Sequence, residues 1–437
     1  MSHTPPQALH RQLGTGSAAM LGLGSIFGTG VFVAIGLGID IAGVWIVPAI
    51  LVAGLVAACN ALSSAQLAAS IPVSGGTYEY GYRLLHPLAG FTAGWLFLLA
   101  KSASAASAAL GASAYGLRLV GLSNTMVIVA VGAGLSVAVT ILVLSGLRRS
   151  NMVNTAIVSL TLIALLAFVI AAFPETANLC HSVDWPARLS EAPGWSDFAY
   201  AAALMFVAYT GYGRIATMGE EVHAPESTIP RAIVATLLIS LLVYIAVAVC
   251  MVATLPLSTG KSLAEMSTPL ELAAQALQVP SLSILVSVGA VAAMLGVLLN
   301  LVLGLSRVVL AMARRGDLPK PLSLISQQGN PNRAVIVVGL VILALVLIGN
   351  IETVWSFSAF TVLIYYAITN AAALRLADAD RRYPRWISVA GLLGCLSLAF
   401  FVPMAVWLAG IAVILLGLCF RVVLRLTGAE RGSHTSD

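Results

Sequence analysis

The chain has 437 residues, of which 59% are apolar and only 9% charged, with a mean hydropathy of +0.99. An ordinary soluble domain carries about 25% charged residues, so this composition excludes one and points to a polytopic helical membrane protein. The net charge of +5 comes without a basic stripe interleaved with aromatics, which argues against nucleic acid as a partner.

Residues 1–12 are polar and the first apolar run is too long for an h-region, so no cleavable signal peptide is expected. That first run, Leu13 to Gly38, carries no charge over 26 residues, and about 20 apolar residues suffice to cross a bilayer. Its middle nevertheless holds Gly22, Gly24, Gly28 and Gly30, and glycine is the worst helix former after proline. A spanning helix weakened at mid-depth bares backbone N–H and C=O groups. Hydrocarbon tolerates these only where they face protein or a water-filled cavity. Gly28-Thr29-Gly30 is therefore expected to be an unwound break whose two half-helix ends face a small zwitterionic ligand. The competing reading makes Gly24 and Gly28 a GxxxG packing face.

Apolar runs separated by charged or Pro/Gly-rich breaks give twelve expected spans: 14–38, 43–69, 88–117, 124–145, 151–173, 197–220, 231–254, 281–311, 334–349, 353–376, 386–402 and 404–424. An even number puts both termini on one side. Seventeen Lys and Arg then fall on that side and three, Arg118, Arg188 and Lys261, on the other. This split places both termini in the cytoplasm of a multi-pass protein of the cell (inner) membrane. Two long connections face outside, Pro174 to Ser196 and the mildly amphipathic Pro256 to Pro280, and either could be a gate or a solvated cover. Inside, the turn-forming Pro72 to Tyr78 is expected to lead into a short helix.

Metal and disulfide chemistry find no support. The cysteines (Cys59, Cys180, Cys250, Cys395, Cys419) are scattered, and the six histidines lie at the ends or in loops. No cofactor, catalytic residue or metal ligand is expected.

Span six reads Phe206-Val207-Ala208-Tyr209-Thr210-Gly211-Tyr212-Gly213-Arg214, and Gly211 and Gly213 again sit near mid-depth. Weakened helices at spans one and six, five spans apart, are the pointer to an inverted five-helix repeat with the site where the breaks meet. The repeats would be 14–173 and 197–376, followed by a helix pair at 386–425.

Four motifs in order carry a resemblance. Gly24-Ser25-Ile26-Phe27-Gly28-Thr29-Gly30-Val31-Phe32 is similar to the helix-one motif of the amino acid–polyamine–organocation (APC) superfamily of amino acid permeases. Pro72-x-Ser74-Gly75-Gly76-Thr77-Tyr78 resembles its first cytoplasmic loop. Glu220-Glu221-Val222, Pro225 and Ile229-Pro230-Arg231-Ala232-Ile233 resemble its signature after helix six. Ser306-Arg307 with Ala313-Arg314-Arg315-Gly316-Asp317-Leu318-Pro319 resembles the end of helix eight, although the family more often has Asp at the place of Arg315. The resemblance spans about 14–376. It implies an all-α fold like that of the bacterial sodium-coupled leucine transporter, with twelve transmembrane helices: a 5+5 inverted repeat plus two C-terminal helices.

An α-amino acid offers a carboxylate and an ammonium. The N-terminus of the outer half of helix one suits the carboxylate, through the amides of Gly28, Thr29 and Gly30 and the Thr29 hydroxyl. The freed carbonyls of Ser25, Ile26 and Phe27, and of Phe206, Tyr209 and Thr210, suit the ammonium. Gly211 completes the second break, and Tyr209 and Tyr212 could stack over the substrate or simply pack. None of the 17 acidic residues lies mid-span, which disfavours cationic substrates and points to neutral amino acids or close amine relatives.

Two basic residues stand out as candidates for coupling or gating. Arg214 follows the second break where the family usually has an apolar residue. Lys101 lies in the middle of helix three, and an intramembrane ionisable residue is a functional candidate by default. Lys101 could carry a proton through the cycle, or it could be a structural lysine bonded to carbonyls. In proton-coupled relatives a lysine in helix five replaces a sodium ion. This chain has Thr161 at about that place, so that correspondence fails. Paired hydroxyls of the sodium-coupled type are absent from 292–296. The expectation is import by alternating access with H+ as the coupling ion, exchange or sodium-coupled or uncoupled passage being the alternatives. Charged rings and filter repeats that would mark a pore are missing, and so is the convergent His, Asp, Ser or Cys constellation of an enzyme. Ser102, Asn300 and Ser356 are candidates for side-chain selectivity.

Overall fold

In a computed structural model, residues 14–71, 75–146, 151–182, 192–216, 222–255, 267–326 and 330–433 are described. Eight helices are long and apolar enough to cross a membrane, and Asn332–Val346 and Arg385–Ala399 are shorter apolar helices. Local sequence explains several helix starts. His86 Nδ1 accepts from the Leu88 amide just ahead of Pro87, at the head of Pro87–Arg118. Asn124 caps Thr125–Leu144 and Asn350 caps Ile351–Leu374 through side-chain oxygens that accept backbone N–H bonds.

Pro87–Arg118 is the central post. From Ala100 to Tyr115 every residue is buried, and most are Ala, Ser or Gly. Small side chains let neighbouring backbones approach closely where lipid supplies no hydrophobic drive between helices. The helices Pro280–Arg314 and Ile351–Leu374 pack along this post. Thr15–Ile26 runs beside Pro225–Thr254, and Ile46–Ser70 lies against Trp195–Tyr209.

The first apolar run does break, but at Phe27–Gly28 rather than over Gly28-Thr29-Gly30, since Thr29 and Gly30 already have helical backbone. Thr15–Ile26 ends at Phe27, whose ψ of 110° is extended, and the chain resumes as a π-turn over Gly30–Ala34 and the α-helix Ile35–Ala42. The second interruption is milder: Trp195–Tyr209 tightens into a 3-10 turn at Thr210–Tyr212 before Gly213–Ala216.

Two boundaries differ from expectation. The helix from Asn151 runs through Pro174 to Ser182, where a connection was expected from Pro174 onward. Likewise Pro225–Thr254 starts ahead of 231 and carries Pro230 inside it. Pro225 takes the first helical position, where its missing N–H would be unpaired in any case, whereas Pro174 and Pro230 lie inside their helices and each removes one backbone hydrogen bond. The short helix expected after the Pro/Gly turn is Thr77–Tyr80, entered through Gly75 and Gly76 with φ of 126° and 56°. Pro269–Ala276 forms a helix within the second long connection. Glu220, Glu221, Arg188 and Lys261, like 72–74 of the first-loop motif, lie outside the described residues.

Candidate functional site

The two interruptions meet. A Cβ placed on Gly211 would fall 2.4 Å from the Ser25 carbonyl oxygen, and one on Gly30 would fall 2.6 Å from the Ala208 Cβ. Only residues without side chains allow this approach, because real Cβ atoms do not come within 3.0 Å of such neighbours. Gly24 and Gly28 do not share one packing face: the first lies against Asn154 and Val158, the second against Val297. Asn154 holds Thr15–Ile26 by donating to the Met20 carbonyl at 3.0 Å.

Tyrosine hydroxyls stitch the exposed backbone. Tyr244, which was not foreseen, is fully buried and lies within donor reach of both the Ala208 carbonyl at 2.9 Å and the Ile26 carbonyl at 3.3 Å. It thus clamps one break to the other. Tyr366 reaches the Thr210 carbonyl at 3.4 Å, and Tyr115 donates to the Phe32 carbonyl at 2.6 Å.

A cavity of about 300 Å³ opens at this junction. Of the residues singled out from sequence, Ser25, Ile26, Gly28, Thr29, Gly30, Thr210, Gly211, Lys101 and Arg214 line it. Phe27, Phe206, Tyr209 and Tyr212 do not; their rings pack behind the breaks. Phe27 and Tyr209 meet Tyr244 edge-on, while Phe206 and Tyr212 lie against Tyr366. Aromatic periodicity cannot tell a ring beside a cavity from one a turn away, and here the helix rotation set by Gly30 and Gly211 turns these rings into the core. Asn300 lines the cavity, whereas Ser102 and Ser356 do not. Phe97, Ser104, Trp355 and Tyr365 line it without having been anticipated.

Lys101 reaches across to the second break. Its Nζ donates to Thr210 Oγ1 at 2.7 Å, and that hydroxyl donates in turn to the Val207 carbonyl at 2.7 Å. The lysine of one helix is therefore tied to the break of another. No carboxylate lines the cavity among the described residues.

The cavity extends toward the arginine-bearing end, where Gly75, Tyr78, Arg307 and Ala311 line it. At the opposite end Pro269–Ala276 sits as a cover. The Leu270 amide donates to Tyr115 Oη at 3.3 Å, and buried Glu271 pairs with Arg118 at 3.2 Å. Tyr115 thus joins Pro269–Ala276 to the Gly30–Ala34 turn that follows the first break.

Comparison with known proteins adds the family. The sequence profile of the amino acid permease family matches residues 17–433. An uncharacterized transporter of Mycobacterium tuberculosis is 41% identical over 99% of this chain and 96% of its own length. A branched-chain amino acid permease of Bacillus subtilis is 30% identical over 72% of this chain and 70% of its own. A chloroplastic cationic amino acid transporter of Arabidopsis thaliana is 28% identical over 74% of this chain and 58% of its own. With these matches and its long apolar helices, the chain is an integral multi-pass membrane protein that belongs to the amino acid permease family, within the APC superfamily its motifs resemble.

Proposed function

We propose that this permease is a secondary transporter that imports neutral amino acids, or close amine relatives, by alternating access with a proton as the coupling ion. The observation that carries the reading is the meeting of two interrupted helices, Gly211 against the Ser25 carbonyl, at a cavity lined by no carboxylate among the described residues. Amides ahead of the first outer-half bond, Phe32 N–H to the Gly28 carbonyl at 3.2 Å, suit the substrate carboxylate. Break carbonyls suit its ammonium. A cationic side chain would meet Lys101, Arg214 and Arg307 with no acidic partner on the wall among the described residues.

Twelve spans follow when the turn at Gly43–Trp45 divides Gly30–Ser70 and each interrupted helix counts as one crossing. The two five-helix repeats are 14–173 and 197–376, with the pair at 386–425 added. Both termini lie in the cytoplasm of the cell (inner) membrane, so the cavity faces inward and Pro269–Ala276 closes the outside. Lys101, tied to the second break through Thr210, carries the proton.

Uptake into proteoliposomes tests this. An inward proton gradient is expected to drive accumulation of a neutral amino acid in the wild type and to fail in Lys101→Ala. Uptake that ignores the gradient and needs internal amino acid would replace symport with exchange.

A further inference from the structure

Three polar groups that line the cavity keep hydrogen-bonding capacity that no bond among the described residues uses. Lys101 is 8% exposed, and its Nζ has one acceptor among the described residues, Thr210 Oγ1. An ammonium carries three N–H donors, so two remain unspent. Thr29 Oγ1 is buried with no partner, and Asn300, 6% exposed, makes no side-chain hydrogen bond among the described residues. All three side chains line the same cavity. Ser104, one turn from Lys101, is hydrogen-bonded to Ser358 at 2.9 Å and makes no bond to the lysine among the described residues.

An ammonium held away from water with donors unspent is costly, and acceptors must come from whatever fills the cavity. A substrate whose α-carboxylate and α-ammonium engage the two breaks has only its side chain left to offer. We propose that Lys101 is a specificity-determining residue that donates to an oxygen on the substrate side chain. The permease then takes amino acids bearing a side-chain amide carbonyl or hydroxyl oxygen ahead of aliphatic ones of equal size. This rests on the transport reading above and deepens it, since amides and alcohols are net neutral. Thr29 and Asn300 line the same cavity as further polar groups, and Val207, Val297 and Leu301 supply apolar wall.

The test is binding to the purified full-length protein in detergent, by titration calorimetry, with the matched pairs threonine against valine and asparagine against leucine. The oxygen-bearing member of each pair is expected to bind roughly tenfold or more tightly, as befits hydrogen bonds to a charged donor. In Lys101→Met that ratio is expected to fall to about one, and in Lys101→Gln, which keeps a donor, to an intermediate value. Equal affinities within both pairs in the wild type, a result that needs no variant to fold, would overturn the proposal and leave the permease reading standing. A preference that survives in Lys101→Met would do the same. Absence of binding by all twenty amino acids would instead overturn the transport reading, and this inference with it.

Discussion

Arg421 Nε lies 3.0 Å from Asp317 Oδ1, in an ion pair whose side chains are 2% and 1% exposed. The pair joins the last helix, Met404–Ser433, to the turn that follows Pro280–Arg314. Asp317 also accepts from Tyr78 Oη at 2.8 Å and from Tyr82 Oη, and Arg421 donates to Tyr82 Oη at 2.7 Å. Beside them Arg315 pairs with Glu79 at 2.9 Å and covers the Tyr82 ring at 4.4 Å. An arginine where the family more often has aspartate thus has a local reason. Removing one partner of a buried pair strands the other charge, so Arg421→Ala is expected to cost about 3–5 kcal/mol of stability. The double change Arg421→Met with Asp317→Asn is expected to recover much of it. Denaturant melts in detergent measure both.

The same cluster sets a limit at high pH. Burial, and then the Asp317 carboxylate, hold the Tyr78 and Tyr82 phenols well above their ordinary range. An unfolded phenol ionises near about 10. A pKa raised in the folded state gives stability that is complete below the unfolded value and is lost as pH climbs past it. Melting midpoints are expected to fall above about pH 10, and less steeply in the Tyr78→Phe, Tyr82→Phe double variant.

Gly211→Ala tests the junction of the breaks. Its new methyl would sit 2.4 Å from the Ser25 carbonyl oxygen, and backbone cannot swing aside as a flexible side chain can. The two interruptions are forced apart, so uptake is expected to fall to background while gel filtration still shows a folded protein. Gly16→Ala, where a Cβ meets nothing within 4 Å, is the control expected to keep uptake.

Tyr244→Phe removes one hydroxyl and keeps the ring that meets Phe27 and Tyr209 at 6.2 and 5.1 Å. The Ala208 and Ile26 carbonyls then lose a buried donor. The expected loss is about 1–3 kcal/mol in a denaturant melt, with weaker substrate binding by calorimetry because the breaks are no longer clamped together.

The sequence by itself determined that the chain is helical and membrane-embedded, and that its first apolar run is weakened beside Gly28, since charge density, run length and the glycine cluster are local properties. It also marked Lys101 as out of place, because a lone charge amid apolar residues is visible without coordinates. Tertiary structure decided what those residues touch. Thr210 as the lysine's partner, Tyr244 as the clamp and the turning of Phe206, Tyr209 and Tyr212 away from the cavity all depend on how helices far apart in the chain rotate against each other. That rotation is set by close contacts such as Gly211 on Ser25 and Gly30 on Ala208, and no pattern confined to one helix encodes a contact made between two.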